Sequence, residues 1–236
     1  MTGQPMTTRE VPGRTPPVEE RLAERLAAGT PPREAPARTA VVTALEELGR
    51  LDVAIYRTIA ETPTATLDRP LRRLSDAADR SRLWLGIAAA MAVAGGREGR
   101  RAAATGVGAL ALDSALVNVG FKLAARRARP DRDAAGVPAG RRVPMPHSAS
   151  FPSGHAASGF AFATAVAQRR PAAAAPLRLL AGAVGYSRVH TGVHYPGDVV
   201  IGSLIGAAVG QLVGSGLSRP AARPRPMVLG PGRRSA

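Results

Sequence analysis

The sequence predicts an all-helical, membrane-embedded bundle of about five apolar helices preceded by N-terminal amphipathic helices. Three observations carry that class. Apolar residues in residues 39–82 recur at helical spacing rather than alternating. From Leu83 onward the composition changes to five apolar runs separated by breaks. Two of those runs approach the roughly 20 residues that a bilayer-spanning helix needs. A soluble bundle of Ala-rich helices is the alternative, and the two long runs weigh against it.

Taken in order, residues 1–38 are rich in Pro, Thr, Glu and Arg. They hold too little apolar surface to offset the entropy of ordering and read as a disordered tail. From Thr39 to Ala60, Val41, Leu45, Leu48, Leu51, Ile55 and Ile59 form one apolar face, with Glu46, Glu47, Arg50, Asp52 and Arg57 on the others. That stretch is too charged to span a bilayer; it is an amphipathic helix at the membrane interface or packed on the domain. Pro63 ends it. A second amphipathic stretch, Leu67 to Arg82, sets Leu71, Leu74 and Ala78 against five arginines. It leads into Trp84, the only tryptophan, placed where an interfacial anchor is expected.

The apolar runs are 83–96, 102–121, 155–167, 172–186 and 199–217. Asp113 and Asn118 interrupt the second, so one of its faces is expected to look inward. Gly202, Gly206, Gly210 and Gly214 form a strip on the fifth that lets two helix backbones approach, within the chain or in a homodimer. A Pro- and Arg-rich tail, 218–236, reads as disordered. The organised domain is thus 39–217.

Composition narrows the function. The formal charge is +15, almost all from arginine, which suits nucleic acid, anionic lipid or a phosphorylated substrate. Aromatics are 3% and none is interleaved with the basic runs, so no nucleic-acid partner is expected. The absence of cysteine excludes disulfides, thiolate metal sites and cysteine nucleophiles. The N-terminal residues lack a basic-then-apolar signal pattern, so membrane entry would use internal segments.

Three polar clusters sit at the mouths of apolar runs. If the runs cross in alternation, loops 122–154 and 188–197 share one side, and 97–101, 168–171 and the C-terminal tail share the other. All three clusters then meet on one side. In the last, Gly192-Val193-His194-Tyr195-Pro196-Gly197-Asp198, Pro and Gly place His194 in a turn and Asp198 at the next helix start. A carboxylate near a histidine can hold one ring nitrogen protonated and leave the other as a nucleophilic lone pair. The plainer alternative makes Asp198 a helix cap and His194 a core residue. His190 and His194 are four apart, but Pro196-Gly197 and the lack of an intervening glutamate argue against a metal pair. No metal and no cofactor are expected.

The second cluster, Phe151-Pro152-Ser153-Gly154-His155, opens a helix. Its first backbone N–H groups and the Ser153 hydroxyl form an anion cradle, and His155 is placed to protonate a leaving oxygen. Capping alone is the alternative. In the first cluster, Lys122 and Arg129 lie two turns apart on one helix face and can hold one dianion. A basic membrane flank is the alternative there, and Arg126 and Arg127 are assigned to it. Together the clusters supply cations, a cradle, a nucleophile, an acid and an orienting carboxylate around one phosphate.

These residues resemble, in order, the three-part signature of the type 2 phosphatidic acid phosphatase (PAP2) superfamily: Lys122-x6-Arg129-Pro130, Pro152-Ser153-Gly154-His155, and Ser187-Arg188-x5-His194-x3-Asp198. Every signature position is filled, and the similar region covers about Leu67 to Gly216. The resemblance implies a helical bundle shared with vanadium haloperoxidases and bacterial acid phosphatases, and metal-independent hydrolysis through a phosphohistidine. It implies that Lys122, Arg129 and Arg188 bind phosphate, Ser153 and Gly154 cradle it, His155 protonates the leaving group, His194 attacks and Asp198 orients His194. His190, outside the signature, has at most a supporting role.

The stretches LDRPLRRLSDAADRSRLW and SALVNVGFK look like actinobacterial membrane members. One branch acts on polyprenyl-phosphate sugars; others act on phosphatidic acid, phosphatidylglycerol phosphate or undecaprenyl diphosphate. The expected protein is a multi-pass lipid or polyprenyl phosphatase of a bacterial cell membrane. The alternatives are a soluble-type acid phosphatase, a haloperoxidase-like enzyme, or a non-enzymatic membrane or nucleic-acid-binding protein. Membrane members usually have six spanning helices, whereas the first helix here is too charged.

Overall fold

The computed structural model describes residues 37–121 and 127–218. The two tails expected to be disordered, apart from residues 37, 38 and 218, and also Lys122, Arg126 and the Asn118 side chain, lie outside the described residues. Helix α1 is Ala37–Glu61 and α2 is Ala65–Ala77; α3 is Arg82–Ala94 and α4 is Gly96–Ala115, extended by a π-helical turn, Leu116–Phe121. After a long segment bearing a 3₁₀ turn at Ala139–Arg141 come α5 (Gly154–Ala167), α6 (Ala174–His190) and α7 (Pro196–Ser218). There is no strand among the described residues.

Each apolar run lies on a helix, α3 to α7, although the edges moved. Residues 97–101, expected as a loop, are the first turns of α4. The corner before it is Gly95-Gly96, and Gly96 takes φ +60°, a conformation that side chains with a Cβ rarely adopt. Among the described residues, only 196–216 is long and apolar enough to cross a membrane by length and composition.

Helix α5 is the axis of the bundle, packed against α4, α6 and α7. Its small residues Ala156, Ala157, Ala161, Ala163 and Ala165 are fully buried, and they set the close spacing. The glycine strip of α7 lies against α5: a methyl on Gly202 would meet the Ser153 carbonyl, one on Gly206 the Ala157 carbonyl and one on Gly210 the Ala161 carbonyl. The strip is therefore engaged inside the chain and is not available to a homodimer.

Trp84 is fully buried and packs on Phe162 at a ring separation of 5.6 Å, not at an interface as the sequence suggested. The reason is Gly159 on α5, which opens a slot: a Cβ there would come within 2.8 Å of the indole. A position next to a basic segment cannot reveal such a slot, because it belongs to another helix.

The ends of the bundle alternate as expected. At one, Arg170 approaches the Gly95 turn and Gln168 donates to the Gln211 carbonyl at 3.2 Å. At the other, 127–130, 148–153 and 188–198 come together. The segment between α4 and α5 is anchored there by Arg141, which is buried. Its guanidinium donates to the carbonyls of Ile59, Ala60 and Thr62, the unsatisfied end of α1, and to Asp68 at 2.8 Å. The second half of α1 packs through Ala54, Tyr56 and Ala60, while Val41, Leu45 and Leu48 on its first half are exposed.

A matched pair of variants tests the strip. Gly206→Ala places a methyl against backbone and should cost about 1–3 kcal/mol of stability. Gly182→Ala, mid-helix with open space around it, should be neutral or stabilising by about 0.5–1 kcal/mol. Thermal unfolding of the purified variants reads both; equal effects would show that the α5–α7 approach is not tight.

Candidate active site

Local backbone places the third cluster. Helix α6 ends at His190, and Gly192 turns the chain at φ +75°. The Val193 and His194 amides both donate to the Arg188 carbonyl, at 3.1 and 3.2 Å, which folds the turn back onto α6. Pro196 then starts α7, with Asp198 in its first turn.

His194 is buried, and its two ring nitrogens have different neighbours. Nδ1 is 3.5 Å from Asp198 Oδ2; Nε2 faces the Arg129 guanidinium, an obligatory donor, at 3.3 Å. The proton therefore belongs on Nδ1, and Nε2 carries the lone pair. Burial is the main cause that pushes the His194 pKa down from 6.5 to about 4, and Arg129 and Arg188 add to it while Asp198 opposes it. At neutral pH the ring is uncharged.

Asp198 is fully buried and fully engaged. Oδ2 accepts the Ser150 hydroxyl at 2.5 Å and the Tyr195 amide at 2.9 Å; Oδ1 accepts Arg127 at 2.9 Å. The carboxylate thus caps its own helix start and also faces His194. Arg127, assigned from sequence to a membrane flank, instead joins Asp198 to Asp52 on α1 (2.7 Å) and lies 4.2 Å over the Tyr195 ring. Asp52 in turn accepts the Gly197 amide at 2.6 Å. Sequence reasoning did not single out Asp52 or Ser150, and no local pattern marks them. Their roles arise only where distant segments meet.

The second cluster abuts the third: the Ser153 amide donates to the Asp198 carbonyl at 2.9 Å. Ser153 precedes α5 as its N-cap yet makes no capping bond through its side chain, and its buried Oγ has no partner among the described residues. The hydroxyl sits beside Gly154, the first residue of α5, at a helix start of the kind whose free backbone N–H groups can receive an anion. Arg129 is clamped by the carbonyls of Ser148 (2.8 Å) and Val193 (2.7 Å). Arg188, buried, donates to Ser75 of α2, and its Nε has no partner among the described residues. It borders a cavity of about 240 Å³ with Ser75, Asp79 and Pro146. His155 Nε2 lies 3.7 Å from Asp79, on the edge of a second cavity. Lys122 lies outside the described residues.

His190 is separate from this group. Its Nε2 meets Thr64 Oγ1 at 2.9 Å and Asp68 at 3.2 Å, in the buried cluster that Arg141 completes. It joins α6 to α2, and His190 and His194 do not form a pair.

A family model described as the PAP2 superfamily matches residues 103–218. A decaprenylphosphoryl-5-phosphoribose phosphatase of Mycobacterium tuberculosis is 35% identical over 187 residues, which cover 76% of this chain and 99% of that protein. One from Mycolicibacterium smegmatis is 39% identical over 133 residues, 56% of this chain and 68% of that protein. Among solved structures, Aquifex aeolicus LpxE aligns with a TM-score of 0.56 at 27% identity, covering 69% of this chain and 94% of its own. A transmembrane PAP2-type phosphatidylglycerolphosphate phosphatase from Bacillus subtilis aligns with a TM-score of 0.55 at 22% identity, covering 85% and 93%.

The depressed His194 pKa has a measurable consequence. A folded-state value below 6.5 means that the neutral ring is favoured by folding. Its contribution is fully present above pH 6.5 and is lost as the pH falls toward 4. The loss amounts to about 3 kcal/mol at most. The unfolding temperature should therefore decline across that window, and less steeply in His194→Asn. Parallel declines in the two proteins would remove His194 as the cause.

Proposed function

The chain belongs to the PAP2 superfamily and is a phosphatase, and we propose that it hydrolyses a lipid or polyprenyl phosphate, without a metal, through a phosphohistidine on His194. The observation that carries this reading is a buried, neutral His194 with Asp198 at Nδ1 and a cationic guanidinium at Nε2.

In this mechanism the phosphate is held by Lys122, Arg129 and Arg188 and by the Ser153 hydroxyl and Gly154 amide. Nε2 of His194 attacks phosphorus and the ester P–O bond breaks. The departing oxygen takes a proton from His155, with Asp79 beside that ring. The imidazolium formed on phosphorylation keeps its Nδ1 proton, and Asp198 stabilises it. A water then attacks phosphorus, His155 accepts its proton, the P–N bond breaks and phosphate departs. The charge around the anion is supplied by Lys122, Arg129 and Arg188, an arrangement that would repel a divalent cation.

The substrate class suggested by the mycobacterial relatives is a polyprenyl-linked phosphosugar. A membrane setting is supported by α7 and by large apolar side chains turned outward on α3, α4, α6 and α7, among them Leu85, Val93, Leu112, Leu179, Leu204 and Leu212. We read residues 39–217 as a multi-pass phosphatase domain of the bacterial cell membrane, with 1–38 and 218–236 as tails.

Phosphate release by detergent-purified protein in EDTA tests the reading. A panel would hold phosphatidic acid, phosphatidylglycerol phosphate, undecaprenyl diphosphate and decaprenylphosphoryl phosphoribose. Turnover should persist in EDTA; a strict magnesium requirement would refute the mechanism. His194→Ala should lower kcat by about 10³-fold or more, and Asp198→Asn by about 10²–10⁴-fold with phosphate binding retained.

Arg127→Met tests the bridge between Asp52 and Asp198. It should lower kcat by about 10- to 100-fold with little change in KM, because it disturbs the aim of Asp198 and not the phosphate contacts. Wild-type kinetics would show that the bridge is dispensable.

A further inference from the structure

Asp113 has no part in the mechanism above, yet it is fully buried at the end of α4. Oδ2 accepts the Ser158 hydroxyl of α5 at 3.0 Å, and Oδ1 has no partner among the described residues. A buried carboxyl oxygen with an open acceptor is costly inside an apolar helix, and such residues persist where a donor completes them.

The space beside it is built. A cavity of about 210 Å³ is bordered by Asp113, Ser158, Ser114, Ser81, Gly154 and His155. Its outer wall is the corner between α2 and α3, where Arg80 and Ser81 take φ of +51° and +59°. Two successive non-glycine residues in that region are strained, and such strain is tolerated where packing and function over-determine the backbone. The volume is below the roughly 300 Å³ at which drug-sized pockets begin, and it suits one sugar-sized group.

We infer that this cavity is a subsite for the hydroxyl groups of a sugar or polyol carried on the leaving-group side of the phosphate, with Asp113 and Ser158 as its specificity-determining residues. The inference rests on the phosphatase reading, because His155, the proposed donor to the leaving oxygen, borders the same cavity. The lining fixes the ligand class. Asp113 accepts, while the serine hydroxyls both donate and accept, a pattern that vicinal hydroxyls match and that an ammonium group, which only donates, leaves half unmet.

Binding to the inactive His194→Ala protein in detergent tests this, with ribose 5-phosphate, n-pentyl phosphate and phosphoethanolamine as probes. Ribose 5-phosphate should bind about tenfold or more tighter than n-pentyl phosphate. Adding Asp113→Ala should bring that ratio close to one. Adding Ser158→Ala instead should reduce it about threefold, and this milder variant serves if Asp113→Ala does not fold. An unchanged ratio in both variants, no preference in the parent, or tighter binding of phosphoethanolamine would each overturn the subsite. If n-pentyl phosphate binds and the wild-type protein hydrolyses it while the ratio is one, the subsite alone falls. If the folded protein binds no phosphate, the phosphatase reading falls and the subsite goes with it.

Discussion

The Asp198 carboxylate is the point on which the rest of this structure converges. A buried carboxylate must be surrounded by donors or it destabilises the fold. Here the donors come from separate parts of the chain: Ser150 and Arg127 from the segment between α4 and α5, the Tyr195 amide from the turn before α7, and His194 itself. Satisfying one charge therefore pins together the segments that form the candidate site. Arg127 extends the constraint to Asp52, so even the amphipathic first helix is held to the site through a 2.7 Å ion pair.

That convergence depends on small residues. With the glycines of α7 against the backbone of α5, the Ser153 amide reaches the Asp198 carbonyl. A larger residue at Gly202 would strike the Ser153 carbonyl and force Ser153 away from the turn that carries His194 and Asp198. The bundle has little aromatic mass, so its rigidity comes from close backbone contact, with Trp84 and Phe162 as a large apolar pair in its core. Close packing and site geometry are here the same requirement. A separate polar pair, Asp113 with Ser158, spans the α4–α5 contact and lines the same cavity as His155, the proposed leaving-group acid.

The residue types needed for phosphoryl transfer and the helical class were legible in the sequence, because each is written locally. Apolar periodicity and run length mark helices without reference to anything distant. Pro196-Gly197 and Gly192 mark where a helix must stop, which is why His194 could be placed in a turn. The alternation of runs across the bundle also put the clusters at one end. Only the tertiary structure decided what each polar side chain faces. Arg127 and His190 carry no local sign that the first braces Asp198 while the second belongs to a structural cluster with Asp68 and Arg141. Trp84 was misplaced for the same reason, since its slot is a glycine 75 positions away. The ring tautomer of His194, its depressed pKa and the Asp113 oxygen left without a partner among the described residues are properties of an enclosure, and an enclosure exists only once distant helices have closed around it.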